Sequence, residues 1–239
     1  MDVRHTFRHQ AREKGVPAEA IEQWLRLTRP RTDLVPDGDG PPVGRFGGLP
    51  ALPDGTDWPG YTSLVLTLDL AALPASGHDL DLPADGTLLF FLMPDWDVEH
   101  HAVIHVPAGA QVTERAGDAP VIDCVPLHAR AGWSVPRSGS QVPFALGDQD
   151  EVLRDVLWCL DHPDYEFSIG GYGGSSTGGA DYPATEPLQE TVLATVWLDE
   201  SRVGDTFGTT LMVVNFVISH ADLAARAFDK VYLHTDFNG

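Results

Sequence analysis

Alternation of apolar and polar positions is clearest in SLVLTLDL at residues 63–70, where Leu64, Leu66, Leu68 and Leu70 fall on one side and Val65, Thr67 and Asp69 on the other. A period of two predicts a strand. TLLFFL at 87–92 is apolar on both sides, the pattern of a central strand covered on two faces. AVIHVPA at 102–108 predicts a third strand, ending at Pro107. Tyr165–Ile169, Thr191–Leu198, Thr210–Ile218 and Lys230–His234 supply further strands.

Helical spacing is rarer. Pro17 suits a first turn, and Ala20, Ile21, Trp24, Leu25 and Leu27 form a stripe that Pro30 stops. VLRDVLWCL at 152–160, preceded by the acidic DQDE, predicts an interior helix. HADLAARAF at 220–228 predicts a short helix capped by Ser219. From Arg31 to Pro59 the chain is rich in Pro, Gly and Asp and predicts an irregular loop. Its DGDG is no calcium loop, because Pro41 and Pro42 interrupt the alternating oxygen ligands after two aspartates.

The elements recur in order. Gly47-Gly48, LTLDL at 66–70, GTLLFFL at 86–92 and AVIHV at 102–106 are echoed by Gly170-Gly171, ATVWLD at 194–199, GTTLMVVNF at 208–216 and KVYLH at 230–234. Two units this small share a core more readily than they form separate domains. The expected organisation is a helical extension over 1–31 and one domain over 32–239, with pseudo-repeats at about 43–110 and 165–235. The expected fold class is α+β: mainly antiparallel β-sheet with two similar intertwined halves, an N-terminal helix and one or two further helices.

VGRFGGLPALPDGTDWP at 43–59, LVLTLDLAALP at 64–74, LPADGTLLFFL at 82–92 and the later SIGGY, VWLD and FDKVYL segments together resemble the YwqG-like bacterial proteins, a domain-of-unknown-function family. The resemblance covers about residues 40–110 and 165–235. It implies an α+β fold with two similar halves, and immunity or accessory roles, since members are sometimes encoded near polymorphic toxins. This chain has Thr67 and Thr195 where the family's L-x-Q-hydrophobic-D strands place glutamine. Its second glycine motif continues as GGYGGSSTGG rather than with Pro and a large apolar residue.

Charge narrows the partners. The 239 residues carry 35 Asp and Glu against 15 Lys and Arg, a net charge of −20, and the only lysines are Lys14 and Lys230. Such a field repels phosphate backbones, so nucleic acid is not an expected partner. The surplus is uneven: residues 1–31 hold seven basic and four acidic side chains, the remainder eight and 31. The N-terminus lacks a signal-peptide core and no apolar run spans a bilayer, so the expected location is cytoplasmic, off the membrane. Cys124 and Cys159 lack metal-site or disulfide spacing and read as buried small hydrophobes.

Candidate chemistry is sparse. Gly174-Ser175-Ser176-Thr177-Gly178 has the form of a nucleophile elbow, followed by Asp205 and His220 in hydrolase order. An elbow needs a helix directly after its serine, and Gly178, Gly179, Asp181 and Pro183 oppose one. No glycine loop carries the lysine of a phosphate-binding P-loop. On an extended 99–105 segment Glu99, His101 and His105 share a side, but the two imidazoles would lie roughly 13 Å apart, too far to share an ion. Paired aspartates such as Asp79/Asp81 and Asp95/Asp97 fix no glycosidase separation. Trp58 reads as a loop anchor, with Trp96 and Trp133 as further loop aromatics. No catalytic residue, cofactor or metal is expected.

The leading expectation is therefore a non-enzymatic, acidic protein-interaction module that masks a basic partner. Asp95, Trp96, Asp97 and Glu99, with Tyr172 and Ser176 of the glycine-rich loop, are its candidate contact residues. The alternative is a small-molecule binder or enzyme with a cleft between the pseudo-repeats and the loop at 170–179 as its lid. Nothing in the sequence sets the oligomeric state.

Overall fold

The structure is a computed structural model that describes residues 3–95, 100–134, 152, 155–156, 167–174, 189–208 and 211–238. Twelve strands are described: β1 Arg29–Val35, β2 Pro42–Phe46, β3 Ala51–Pro53, β4 Ser63–Asp69, β5 Thr87–Leu92, β6 His101–Val106, β7 Val112–Glu114, β8 Val125–Ser134, β9 Phe167–Gly170, β10 Glu190–Asp199, β11 Leu211–Ser219 and β12 Tyr232–Asn238. Among the described residues four helices with full bounds accompany them: α1 Val3–Glu13, α2 Ala18–Leu25, α3 Glu200–Val203 and α4 His220–Ala224. The fold is α+β, dominated by one antiparallel sheet.

Ten strands form that sheet in the order β12-β11-β10-β9-β1-β8-β2-β4-β5-β6, and β3 pairs with β7 as a separate ribbon. The sheet curls until its edges approach: His101 Nε2 lies 2.8 Å from the Val231 carbonyl oxygen, and the His105 ring lies 5.7 Å from Phe228. The result is a nearly closed barrel. Its interior is filled, because inward positions such as Leu66, Leu68, Leu88, Phe90, Leu127, Phe167, Val196, Val214 and Phe216 are buried in one cluster.

Two similar halves meet at the central β1–β8 pair. Outward from β8 run β2, β4, β5 and β6; outward from β1 run β9, β10, β11 and β12. Their registers match in detail. A bulge interrupts β4–β5 between Leu64 and Leu66, and another interrupts β10–β11 between Val192 and Ala194. Beyond the bulges Leu66 faces Phe90 and Thr67 faces Leu89 in one half, while Ala194 faces Phe216 and Thr195 faces Asn215 in the other. Each half also bears a glycine pair with positive φ, Gly47 and Gly48 or Gly170 and Gly171. At Gly47 a side chain would collide with the Asp123 carbonyl oxygen, 2.5 Å from an added Cβ.

Several expectations change. The predicted loop at 31–59 contains β1, β2 and β3, and β1 sits at the centre of the sheet. Proline misled the reading: Pro42 opens β2, and Pro30, expected to stop the helix, is the second residue of β1, while α2 already ends at Leu25. A second helix, α1, precedes the one expected, and Phe7 of α1 stacks on Trp24 of α2 with ring centroids 6.4 Å apart. The Ser219 cap is present, its hydroxyl accepting from the Asp222 N–H, but α4 ends at Ala224. Cys124 is exposed rather than buried, because it lies on the surface segment that crosses Gly48. The expected helix at 152–160 and Cys159 lie largely or wholly outside the described residues.

Candidate functional site

The outward faces of the two halves differ where their registers coincide. On β10 and β11 the outward residues include Thr195, Trp197, Val213 and Asn215. The chain leaving Gly170-Gly171 crosses this face, and Gly174 seats on it: the Gly174 N–H donates to Asn215 Oδ1 at 2.8 Å, while Asn215 Nδ2 donates to the Gly174 carbonyl at 3.0 Å. Thr195 Oγ1 donates to the same Oδ1 at 3.0 Å, and Nδ2 also reaches the His234 carbonyl at 3.4 Å. A Cβ on Gly174 would lie within 3.0 Å of Trp197, Thr195 and Val213, so only glycine lets the backbone sit this close. Asn215 is fully buried with its amide satisfied.

In the first half Thr67, Asp69, Thr87 and Leu89 stand at the corresponding positions. Here the β3–β7 ribbon covers only part of the face, packing Leu52 with Leu64, Leu89, Phe91 and Val106. Beside it a groove of about 320 Å³ remains, lined by Pro42, Gly44, Arg45, Ala51, Thr67, Asp69, Thr87, Leu89, Val106 and Val112. Asp69 and Thr87 are cross-strand partners, as are Arg45 and Thr67. The Thr67 hydroxyl and Arg45 Nε are buried without hydrogen-bond partners. The Arg45 guanidinium reaches the Leu49 carbonyl and lies 3.6 Å from Glu114. Asp69 accepts from the Ala71 N–H at 3.0 Å. Gly44 permits close pairing of β2 with β4, since a Cβ there would overlap the Thr67 carbonyl oxygen.

Of the sequence-derived contact residues the structure describes two, Asp95 and Tyr172, and these lie apart. Asp95 follows β5 and is exposed, and Tyr172 follows β9; these strands run in opposite directions, so the two residues leave the sheet from opposite strand ends. Tyr172 is a tie. Its hydroxyl donates to the Leu27 carbonyl at 2.7 Å, its N–H donates to Ser134 Oγ, and the Arg29 guanidinium lies 5.5 Å from its ring centre. Burial pushes its phenol upward, with Arg29 opposing. Arg29 also binds Asp79 through two nitrogens, at 2.7 and 3.2 Å, and reaches Thr191. Trp96, Asp97, Glu99 and Ser176 lie outside the described residues.

His101 serves the barrel seam, and His105 Nε2 is 3.4 Å from the Asp85 carbonyl. Among the described residues no group of three or more His, Cys, Asp or Glu side chains is placed to hold a metal. Asp205 precedes β11 and His220 follows it, so the strand's nine residues, roughly 30 Å, separate two members of the supposed triad. Trp58 is an anchor: its indole N–H donates to the Thr62 carbonyl, and its ring meets Phe91 edge-on at 5.7 Å. Sequence reasoning missed Asn215, although one amide inside the apolar run LMVVNFVIS was a visible sign of a buried polar contact.

A side-chain-filled antiparallel barrel of two similar halves, ribbed on one outward face by a ribbon beside a groove, is the class of molecule that this geometry defines. The chain belongs to the family described as Domain of unknown function (DUF1963), whose pattern matches residues 44–236. No curated protein matches it. Among the described residues no helix is long and apolar enough to cross a membrane.

Proposed function

We propose that this chain is a YwqG-like, non-enzymatic interaction module of the cytoplasm, which uses its acidic outer surface to mask a basic protein. The carrying observation is the contact between halves: Phe90 and Phe216 meet at 5.0 Å, and Phe46 and Phe167 at 5.0 Å, inside the space that a cleft between the halves would need. Recognition is thereby directed to the outside. Arg8, Arg29, Arg31, Arg45 and Arg226 are each ion-paired within the fold, to Glu22, Asp79, Asp33, Glu114 and Asp81, which leaves the acidic surplus to dominate the surface field. Exposed Asp37, Asp39, Asp54, Asp57, Asp118 and Asp123 belong to that surplus. Such a field accelerates encounter with a cationic surface and weakens with salt.

The matching registers and bulges support the reading of an internal repeat, in which the halves have diverged on their outward faces. The test is affinity capture from native lysate at low and high salt, followed by measured binding of the captured protein. A basic protein retained in stoichiometric amount at low salt, and released as salt rises, is the expected outcome. Retention of no stoichiometric partner sinks the proposal.

A further inference from the structure

We infer that the groove beside the β3–β7 ribbon is a socket for a primary ammonium group on an apolar stem, namely a lysine side chain of the basic partner; this rests on the interaction proposed above. The two halves supply the argument. Where the second half has Trp197 and Val213 packed around Gly174, the first has Asp69 and Thr87 and an open groove of about 320 Å³. The floor and walls are apolar, from Leu89, Val106, Val112, Ala51 and Pro42, and suit a methylene chain.

The polar groups fit a cation. The first oxygen of Asp69 is engaged by the Ala71 N–H, and the described structure gives its second oxygen no hydrogen bond. Thr87 stands directly across from Asp69, and Thr67, also in the lining, carries a buried hydroxyl without a partner. These are separate single-point acceptors, which match the three donors of an ammonium better than the planar fork of a guanidinium. Among the described residues the one cation in the lining, Arg45, is held by Glu114 and the Leu49 carbonyl. The chain's net charge of −20 favours a cationic occupant over an anionic one.

The test is amide-resolved NMR titration of the full chain with Nα-acetyl-lysine methylamide, alongside the norleucine analogue, which keeps the stem and lacks the ammonium. Shifts at Gly44, Ala51, Thr67 and Thr87 with the lysine compound alone are expected. Asp69→Asn should weaken that binding by about tenfold. Asp69→Trp, which copies the second half, should abolish it while the remaining spectrum stays native. The socket is overturned if the lysine compound leaves those amides unmoved, or if Asp69→Asn binds it unchanged. Failure of partner capture with lysine binding intact counts instead against the interaction with a basic protein, so the two readings fail separately.

Discussion

Phe90 of β5 and Phe216 of β11 occupy corresponding positions in the two halves and touch each other edge to face, their ring centroids 5.0 Å apart and their planes at 74°. Both are fully buried. The contact is where the halves recognise one another, so its energetics report on their joining.

Replacing either ring with alanine should destabilise the protein by about 3–5 kcal/mol in urea unfolding. The double variant should fall short of the sum by about 1 kcal/mol, because the first truncation already removes the edge-to-face contact. Strict additivity would show that the rings are energetically independent.

Asn215→Leu gives β11 the residue that β5 has at Leu89. It leaves the Gly174 N–H and carbonyl without their side-chain partner and should cost about 2 kcal/mol. Hydrogen exchange at the Gly174 amide should accelerate more than the global loss of stability explains. An unchanged exchange rate relative to global stability would contradict the clasp.

The N-terminal helices should be held by apolar packing more than by charge. Trp24 is fully buried with Phe7, Ile21 and Leu25, whereas the Arg8–Glu22 ion pair is partly exposed. Trp24→Ala should cost about 3–5 kcal/mol at any salt concentration, and Arg8→Ala should have little effect. A loss on Trp24→Ala that disappears at high salt would reverse that ranking.

Stability should decline as pH falls through the histidine range. Burial lowers the pKa of His78, with Asp79 opposing, and burial likewise lowers that of His234, with Asp236 opposing. The unfolded chain therefore takes up protons first, at its ordinary value of about 6.5. The stabilising contribution is complete above that value and is lost as pH falls from it towards the native pKa values. Urea midpoints should show this slope, and His78→Asn with His234→Asn should flatten it; a slope unaltered in the double variant would assign the effect elsewhere.

Much of the barrel was legible because its wall obeys a period of two. SLVLTLDL places Leu66, Leu68 and Leu70 inward and Thr67 and Asp69 outward, as the structure does, but the bulge before Leu66 moves Leu64 under the ribbon and Val65 into the barrel, against the alternation; both faces of TLLFFL are buried, one in the barrel and one under the ribbon. β1 was hidden for a physical reason. RPRTDLV buries Thr32 and Asp33, Thr32 through a contact that its own sequence does not announce, a hydroxyl bond to the Gly77 carbonyl, and Asp33 beside Arg31 at 2.7 Å within the strand. The groove was visible only in parts. Thr67 and Asp69 stood out as the polar side of a strand, but their juxtaposition with Thr87 depends on pairing between β4 and β5.

The placement of β1 sets an order of assembly. β8, β2, β4, β5 and β6 all lie within residues 42–134, so one half is complete as a continuous stretch of chain. The other half is split: β1 comes from residues 29–35, and its sheet neighbour β9 begins only at residue 167. During synthesis β1 must wait for β8 on one side and for β9 on the other, and until then its inward side, including Leu34, has no finished core to enter. Pairing across so long a stretch of chain is slow in general, because the loop must close before its contacts repay the lost entropy.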